Sequence, residues 1–351
     1  MSLQATDIQD LVNTTLNNLG ELKFTDIMSD YQHTIFLKRL AKKGKMTFDS
    51  GPQCQFNLIT DDNGSARAVG LYYTANVNPT NVMTTGLVPW RHVTWNWAIE
   101  RREVAMNRSP RKIVDLTKTR RIAAFASAVK FFEARGWRVP ASTDTDNFYG
   151  VPYWVVKSST AVTTNNGFNG TVPSGYTTVA NISPTTYPRW ANYAAPYTNI
   201  TKDDFVASLW RACTWTDFEP LVDQVQDYNM GNDYGLYTTY AVIASLKQIL
   251  ESNNDNLGPD IDSMDGKIVF RRTPITWVRE LESDTTGVFY GINWGVFHAI
   301  GLRDEWMHET QIPVHSNQPT VAATHTDCTF NTICHDRRRN FVLSTGTSMP
   351  T

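Results

Sequence analysis

The sequence predicts an α+β protein, and three long segments lead to that prediction. One helical run of about 26 residues lies between Ser109 and Gly136. An extended segment with alternating polar and apolar residues precedes it over residues 46–104. Residues 201–252 then change to a mixed pattern of helix and strand. A chain of 351 residues with this order is long enough for compact domains that carry protruding elements.

The long helix has clear start and stop signals. Ser109 can cap the first turn, and Pro110 suits the first helical position, where a backbone N–H has no partner within the helix. Gly136 tolerates the left-handed conformation that ends many helices. The predicted helix is about 40 Å long, roughly twice the usual length. Such a helix suits a protein that builds something larger than itself.

The extended segment 46–104 reads as a two-stranded arm. Residues 55–59 and 91–99 alternate as half-buried strands do, and residues 69–73 read as another strand. The sequence DDNG at 61–64 is a strong turn signal, and residues 76–86 are rich in turn-forming types. An isolated ribbon is marginally stable in water. We therefore expect the arm to gain stability by lying on a neighbouring molecule.

The remaining elements follow in chain order. We predict helices near residues 6–19 and 26–43, a strand at 149–156, and an ordered insertion at 158–200 whose aromatic residues need burial. A helix over 203–213 starts at Thr201 and Asp204, followed by a strand at 237–243 and a helix at 244–251. Strands return at 267–281 and 288–302 and in a final pair at 319–343.

The bulk composition argues against a dedicated nucleic-acid binder. The chain has 32 basic and 34 acidic residues, for a formal net charge of −2, whereas such binders usually carry a basic surplus. Aromatic residues make up 12% of the chain and include 11 Trp. This richness fits either a large aromatic core or extensive subunit contacts.

The cysteines and the apolar runs bear on the compartment. The first twenty residues lack the basic and apolar regions of a signal peptide, and no apolar run reaches the roughly 18 residues that span a bilayer. We therefore expect synthesis in the cytosol, no membrane partner and reduced thiols. The four cysteines are Cys54, Cys213, Cys328 and Cys334.

No catalytic, cofactor or metal motif is found, so we predict a protein that is not an enzyme and has no cofactor. Asp260, Asp262 and Asp265 resemble a calcium loop, but the spacing is off by one and the closing Glu is missing. His325, Cys328, Cys334 and His335 suggest zinc. A single strand over 324–334 would instead separate the two cysteines by about 20 Å.

One alternative stays open at this stage, an aromatic-rich carbohydrate-active or carbohydrate-binding protein. Scattered carboxylates could pair in the fold as glycosidases require. The tryptophans that could line a sugar groove are Trp90, Trp95, Trp97, Trp190, Trp215 and Trp294.

Basic residues are the main candidates for a functional surface, either between subunits or facing DNA. Arginine forks pair well with carboxylates on a neighbour, and the same groups could contact phosphates. The candidates are Arg101, Arg102, Arg111, Lys112, Arg120, Arg121, Arg337, Arg338 and Arg339.

Several strings resemble one subfamily of tailed-bacteriophage major capsid proteins. They are VPWRH at 88–92, RREVAMN at 101–107, NNDNLG at 253–258, YGINWG at 290–295, and the ending from DCTF at 327–330 to RRRNFVL at 337–343. The order of elements resembles the same family over nearly the whole chain. The resemblance implies the HK-ninety-seven-like fold.

That fold implies a division of the chain into five parts. These are an N-terminal arm at 1–45, an extended two-stranded loop at 46–104, a peripheral domain at 105–200 with a spine helix at 109–136 and an insertion at 158–200, an axial α/β domain at 201–304, and return strands of the peripheral domain at 305–351. The insertion is larger than a minimal family member would carry. No long charged helical segment precedes the arm, so we expect scaffolding to be a separate protein or to be cleaved off.

The resemblance also implies a function: a major capsid protein that self-assembles into hexamers and pentamers of an icosahedral shell enclosing double-stranded DNA. Its implied partners are other copies of itself, a separate scaffolding protein, a portal, decoration proteins and packaged DNA held by non-specific contacts. Its implied location is the virion capsid, after synthesis in the cytoplasm of a bacterial host.

Overall fold

A computed structural model describes residues 34–40, 46–60, 66–71, 73–74, 82–106, 110–217, 233–252, 268–312 and 320–347. The α-helices are α1 (Ile35–Leu40), α2 (Arg101–Met106), α3 (Pro110–Gly136), α4 (Val151–Trp154), α5 (Ala207–Trp215) and α6 (Tyr240–Ser252). A π-helical turn (Lys202–Val206) leads into α5, and short 3₁₀ helices span Thr164–Gly167, Arg279–Ser283 and Arg337–Arg339. In the part of the chain described here, no helix is both long and apolar enough to cross a bilayer.

Thirteen strands are named in chain order. They are β1 (Met46–Asp49), β2 (Gln53–Ile59), β3 (Met83–Pro89), β4 (Arg91–Glu100), β5 (Tyr193–Pro196), β6 (Tyr234–Thr238), β7 (Val269–Phe270), β8 (Thr273–Trp277), β9 (Phe289–Asn293), β10 (Phe297–Leu302), β11 (His308–Ile312), β12 (Val321–Cys334) and β13 (Phe341–Ser344). The α+β class predicted from the sequence is confirmed.

The chain divides into two compact units. The smaller comprises Met1–Thr34, His92–Phe132 and Asp304–Thr329, and the larger comprises Ile35–Arg91, Glu133–Arg303 and Phe330–Thr351. Helix α3 and strand β12 each contribute residues to both units.

In the smaller unit, the first part of β12 pairs antiparallel with β11, in a register that runs from His308 opposite Asp327 to Ile312 opposite Ala323. Strand β4 also pairs with β12. Trp95 of β4 packs edge to face against Phe125 of α3, with ring centroids 5.7 Å apart. Helix and sheet are therefore joined by aromatic contacts.

The predicted long helix is confirmed as α3, which begins at Pro110 and ends at Gly136. Gly136 is required by packing as well as by its backbone freedom. A Cβ at this position would lie 2.4 Å from the ring of Phe36 in α1, so only glycine lets the two elements approach this closely. The predicted cap residue Ser109 lies outside the described residues.

The larger unit contains a six-stranded sheet in the order β5-β13-β9-β6-β8-β7. Helices α5 and α6 cover this sheet with one apolar face each. The buried core between them includes Tyr193, Phe205, Leu209, Val242, Leu246, Phe289 and Phe341. The predicted helix over 203–213 is confirmed, since Thr201 Oγ1 accepts from the Asp204 N–H at its start, 3.3 Å away.

The same unit contains a second strand group. β1 runs parallel to β10, with Met46 opposite Ala299, and β10 runs antiparallel to the last residues of β12, with Phe297 opposite Cys334. Trp137 packs against Tyr237 of β6, with ring centroids 5.2 Å apart. Large aromatic side chains thus fill the interior of this unit, as the 158–200 insertion also illustrates with its buried Trp190.

Three local predictions are wrong. Residues 69–73 were predicted as a strand, but their described part, 69–71 and 73, belongs to no strand. Residues 149–156 were expected to be a strand, but they contain α4, and every side chain in that helix is buried. A short apolar run without visible period fits a buried helix as well as a strand. The predicted strand at 237–243 is also displaced, because β6 ends at Thr238 and α6 begins at Tyr240. The β-branched residues there face the core from a helix.

The two-stranded ribbon covers fewer residues of the segment 46–104 than the sequence predicts. Only β2 and β3 pair with each other, whereas β1 and β4 join strands from the second half of the chain. The predicted helix at 6–19 and the calcium-like loop at 260–266 lie outside the described residues.

Candidate functional site: the ribbon and its base

Strands β2 and β3 form an antiparallel ribbon. Its register places Phe56 opposite Gly86 and Cys54 opposite Val88. Because side chains alternate between faces of a strand, these four positions share one face. We call this set the ribbon base. All three of its side chains are buried.

Phe56 is the centre of the base. Its ring lies 6.3 Å from the ring of Trp190, 6.5 Å from that of Trp154 and 5.6 Å from that of His335, the last two edge to face. These three partners come from distant parts of the sequence. Such edge-to-face and tilted contacts add to the free energy gained by burying the ring.

Gly86 lets β3 lie flat on that ring. A Cβ at position 86 would sit 2.4 Å from Phe56 Cζ, closer than any side-chain carbon can approach. The next residue, Leu87, donates its backbone N–H to the Ala180 carbonyl at 2.9 Å. The ribbon is therefore attached to the body by packing on one strand and by a main-chain hydrogen bond on the other.

Arg337 supports the base from beneath. Its guanidinium donates to the carbonyl oxygens of Trp154 (2.8 Å), Trp190 (2.7 Å) and Gly170 (3.0 Å), and to Asn192 Oδ1 (3.2 Å). Burial lowers the pKa of Arg337 to about 10, so the group stays charged at neutral pH. Charged donors on several buried carbonyls fix the loops that hold the two tryptophans.

Buried His298 and half-buried His335 adjoin the base. The rings of His298 and His335 lie 5.2 Å apart, and Phe56 packs against the second of them. Burial, with a smaller contribution from His298, lowers the pKa of His335 to about 4. Both effects disfavour the charged imidazolium in the folded chain.

The distal half of the ribbon is different. Here we group Ile59, Met83 and the described residues from 66 to 74. Ile59 and Met83 are cross-strand partners and are 57% and 54% exposed, and Leu71 is 94% exposed. Val69 is also exposed, and Arg67 lies over the ring of Tyr73 with its Cζ 5.0 Å from the ring centroid. Large apolar side chains here contact water within the single chain.

A second attachment joins α1 to the spine helix. Glu133 of α3 is buried and accepts backbone N–H groups from Ile35 (3.0 Å), Phe36 (3.1 Å) and Leu37 (3.3 Å). The indole of Trp137 donates to the same carboxylate at 3.0 Å. Burial raises the pKa of Glu133 despite these donors. A carboxylate from one helix thus caps the N-terminus of another.

No family model matches the sequence, and no curated protein matches it. Solved capsid structures do. The chain is similar to one in the cyanophage A-1(L) capsid asymmetric unit, with a TM-score of 0.60 and 15% identity over 96% of this chain and 99% of that one. This chain has the fold of tailed-phage capsid proteins. A chain in the capsid of a native GTA particle is similar with a TM-score of 0.53 and 11% identity, over 93% of this chain and 95% of that one. A chain in the capsid of Myoviridae phage XM1 is similar with a TM-score of 0.51 and 11% identity, over 93% of this chain and 97% of that one.

The HK-ninety-seven-like capsid fold inferred from the sequence strings is therefore confirmed at the level of fold. Within this capsid fold the predicted basic residues have different surroundings. Arg101 and Arg102 are exposed at the start of α2. Arg111 and Lys112 lie in α3, and their side chains are outside the described part.

The five remaining candidates form ion pairs or are buried within their own chain. Arg120 makes a two-pronged ion pair with Glu103 at 2.7 and 2.8 Å, and Arg121 pairs with Glu309 at 2.6 Å. Arg337 and Arg339 are buried. The guanidinium of Arg337 therefore faces the interior of its own chain. Arg338 is partly exposed and pairs with Asp336 at 3.1 Å.

Two of the tryptophans predicted to line a sugar groove are buried, which does not favour that alternative. Trp190 packs on Phe56 in the ribbon base, and Trp294 is buried against Tyr237, to whose hydroxyl its indole donates at 2.8 Å. Among the described residues, no group of three or more metal-ligating side chains converges. Cys328 and Cys334 lie on the single strand β12, as the spacing predicted.

Sequence reasoning missed the three contacts that organise this site. Gly86 inside an otherwise strand-like run is a usable signal, because a strand glycine often marks close backbone approach. Glu133 is the one acidic residue in the apolar end of α3, which is also a signal. The role of Arg337 had no local signal, because its acceptors lie about 150 residues away in sequence.

Proposed function

We propose that this chain is the major capsid protein of a tailed bacteriophage, and that its copies form the hexamers and pentamers of an icosahedral shell around double-stranded DNA. The role is structural rather than catalytic. One observation carries the proposal beyond the fold: the ribbon has a rigidly buried base and an apolar distal half that its own subunit does not cover.

Exposed apolar side chains on a protruding ribbon suit contact with another copy. Contiguous exposed apolar surface commonly marks an interaction site. The free edges of a two-stranded ribbon also favour pairing with another chain. Individual contacts of this kind can be weak, since closure of a symmetric shell makes many of them act together.

The five-part division remains our proposal, with an arm, an extended loop, a peripheral domain, an axial domain and return strands. The isolated β2–β3 pairing supports the extended loop, and the six-stranded sheet with α5 and α6 supports the axial domain. Exposed Arg101 and Arg102 remain candidates for DNA or neighbour contacts. A scaffolding protein, a portal and decoration proteins are proposed partners, with the virion capsid as the location and the host cytoplasm as the place of synthesis.

The test is assembly of the purified chain, followed by size-exclusion chromatography with light scattering and by negative-stain microscopy. We expect shells, or rings that precede shells. Leu71→Asp combined with Ile59→Asp should abolish them while leaving the unfolding transition unchanged. Gln55→Asp, on the same exposed face as Ile59 but level with the base, is the matched control and should assemble normally. A wild-type chain that stays monomeric up to its solubility limit contradicts the proposal.

A further inference from the structure

The part of the larger unit built on the six-stranded sheet has two oppositely charged ends. At one end, β7 and β8 are joined by Arg271 and Arg272, both with positive φ and both exposed. Trp210 of α5 packs its ring 4.9 Å from that of Phe270, and Arg271 lies over it at 5.7 Å. Exposed Arg211 follows Trp210. We call this set the basic end. Among the residues that the structure describes at this end, the three arginines outnumber the acidic neighbour Asp217.

The other end is acidic and surrounds the first turn of α6. Glu282 accepts the backbone N–H of Tyr240 and the indole N–H of Trp277, both at 2.6 Å. Asp204 accepts two backbone N–H groups, from residues 198 and 199, beside its exposed neighbour Asp203. We call Asp203, Asp204, Glu280, Glu282 and Tyr240 the acidic end. Its carboxylates outnumber the neighbouring Lys202 and Arg279.

Two independent elements keep these ends apart. Strand β8 begins next to the arginine turn and leads at its far end into the 3₁₀ helix that carries Glu280 and Glu282. A five-residue strand spans about 13 Å. The helical segment from Asp203 to Arg211 runs the opposite way and spans about 12 Å. The strand and the helix therefore both carry acidic residues at one end and arginines at the other.

We infer that the basic end of one subunit contacts the acidic end of a second copy of this chain, in head-to-tail order. This inference rests on the proposed self-assembly and names one contact within it. Neither end complements itself, whereas a head-to-tail contact pairs the basic end of one copy with the acidic end of the next at every step of a closed ring. Trp210 and Tyr240 are 52% and 66% exposed and supply the large apolar anchors that such contacts use.

A basic surface with a tryptophan could also bind DNA, but the geometry favours the protein partner. Stacking of a base needs an open aromatic face. One face of Trp210 is covered by Arg271, and Phe270 packs against the same ring edge to face. The acidic end of the same unit supplies the complementary surface for a second copy.

The test reverses charge at one end at a time. Arg211→Glu with Arg272→Glu alters the basic end, and Asp203→Lys with Glu280→Lys alters the acidic end. These positions are chosen because Arg271 and Glu282 also make contacts within the subunit. Each double variant should raise the protein concentration needed for assembly by about tenfold or more, because like charges then face each other. Circular dichroism and thermal unfolding of each variant should match the wild type.

Combining the variants gives the decisive results. The quadruple variant carries both reversals in one chain, so opposite charges meet again and assembly should return towards the wild-type concentration. A mixture of the two double variants should assemble only into rings with an even number of alternating copies. If both double variants assemble like the wild type, or only lose binding to a DNA oligonucleotide, this contact is overturned while the shell proposal stands. A wild-type chain that never assembles overturns both.

Discussion

The base and the distal half of the ribbon belong to the same pair of strands but differ in burial. At the base, Phe56 packs against Trp154, Trp190 and His335, and Val88 is buried on the same face. In the distal half, Ile59 and Met83 pair with each other on the opposite face of the ladder and remain exposed. Alternation along the two strands sets this difference, because the body covers the face of Phe56 and Val88 and leaves the other face open. The covered face therefore contributes to the stability of the chain, whereas the exposed distal side chains form the surface that we propose for assembly.

The largest expected effect is at Arg337, which supports the base. Arg337→Met would leave the carbonyls of Trp154, Trp190 and Gly170 buried without their donor. We expect a loss of roughly 4 kcal/mol in the free energy of unfolding, measured by urea denaturation. Arg337→Lys, which keeps the charge but not the fork, should fall between this variant and the wild type. A loss below about 1 kcal/mol for the Met variant would mean that the arginine network does not stabilise the base.

The next effect compares the covered base with the exposed face of the ribbon. Phe56→Ala removes the ring at the centre of the base and should cost about 3–4 kcal/mol of unfolding free energy. Ile59→Ala, three residues further along the same strand and on its opposite, exposed face, should change it by less than about 0.5 kcal/mol. Equal effects at the two positions, measured under the same conditions, would remove the distinction between the covered base and the exposed face.

Lowering the pH should destabilise the ribbon base through protonation of His335. The folded chain has a pKa of about 4 for this group, below its ordinary value of 6.5. The unfolded chain therefore binds the proton first, so stability is complete above pH 6.5 and is lost as the pH falls towards 4, by on the order of 3 kcal/mol. The raised pKa of Glu133 acts with the opposite sign as the pH falls. The measurement is consequently the difference between the wild type and His335→Gln across this window, and parallel pH profiles would refute the assignment.

The smallest effect is at Gly86. An added methyl would meet the Phe56 ring, so Gly86→Ala should cost about 1–3 kcal/mol as the strand or the ring shifts. In the double variant with Phe56→Leu, the smaller side chain leaves room for the methyl. We therefore expect the Gly86 substitution to cost less in that background, as a double-mutant cycle would show. Additive losses would indicate that the cost of Gly86→Ala comes from the backbone at residue 86 rather than from contact with the Phe56 ring.

The elements most visible in the sequence were those with local signals. Helix α3 had a proline at its first turn and a glycine at its end, and the helical turn that leads into α5 had Thr201 and Asp204 at its start. The alternation of β2 also gave the correct strand and the correct shared face. By contrast, residues 149–156 had no period to separate helix from strand, and α4 was missed.

The candidate site was less predictable than the fold, because its contacts are distant in sequence. The basic residues were visible as a set, but nothing local distinguished exposed Arg101 from buried Arg337. The two differ only in what the folded chain brings next to them. The same holds for Trp190 and Trp294, which composition alone left open as either core or surface residues.

The sequence by itself determined the α+β class, the long helix and the alternating ribbon strands, because each depends on residues within a few positions of one another. Its strings and element order also indicated the capsid fold. Only the tertiary structure decided that the paired ribbon consists of β2 and β3, that Phe56 is the centre of its base, and that Glu133 and Arg337 act as buried anchors. Those outcomes depend on groups far apart in the sequence meeting in a low-dielectric interior, where each polar group must find its partner.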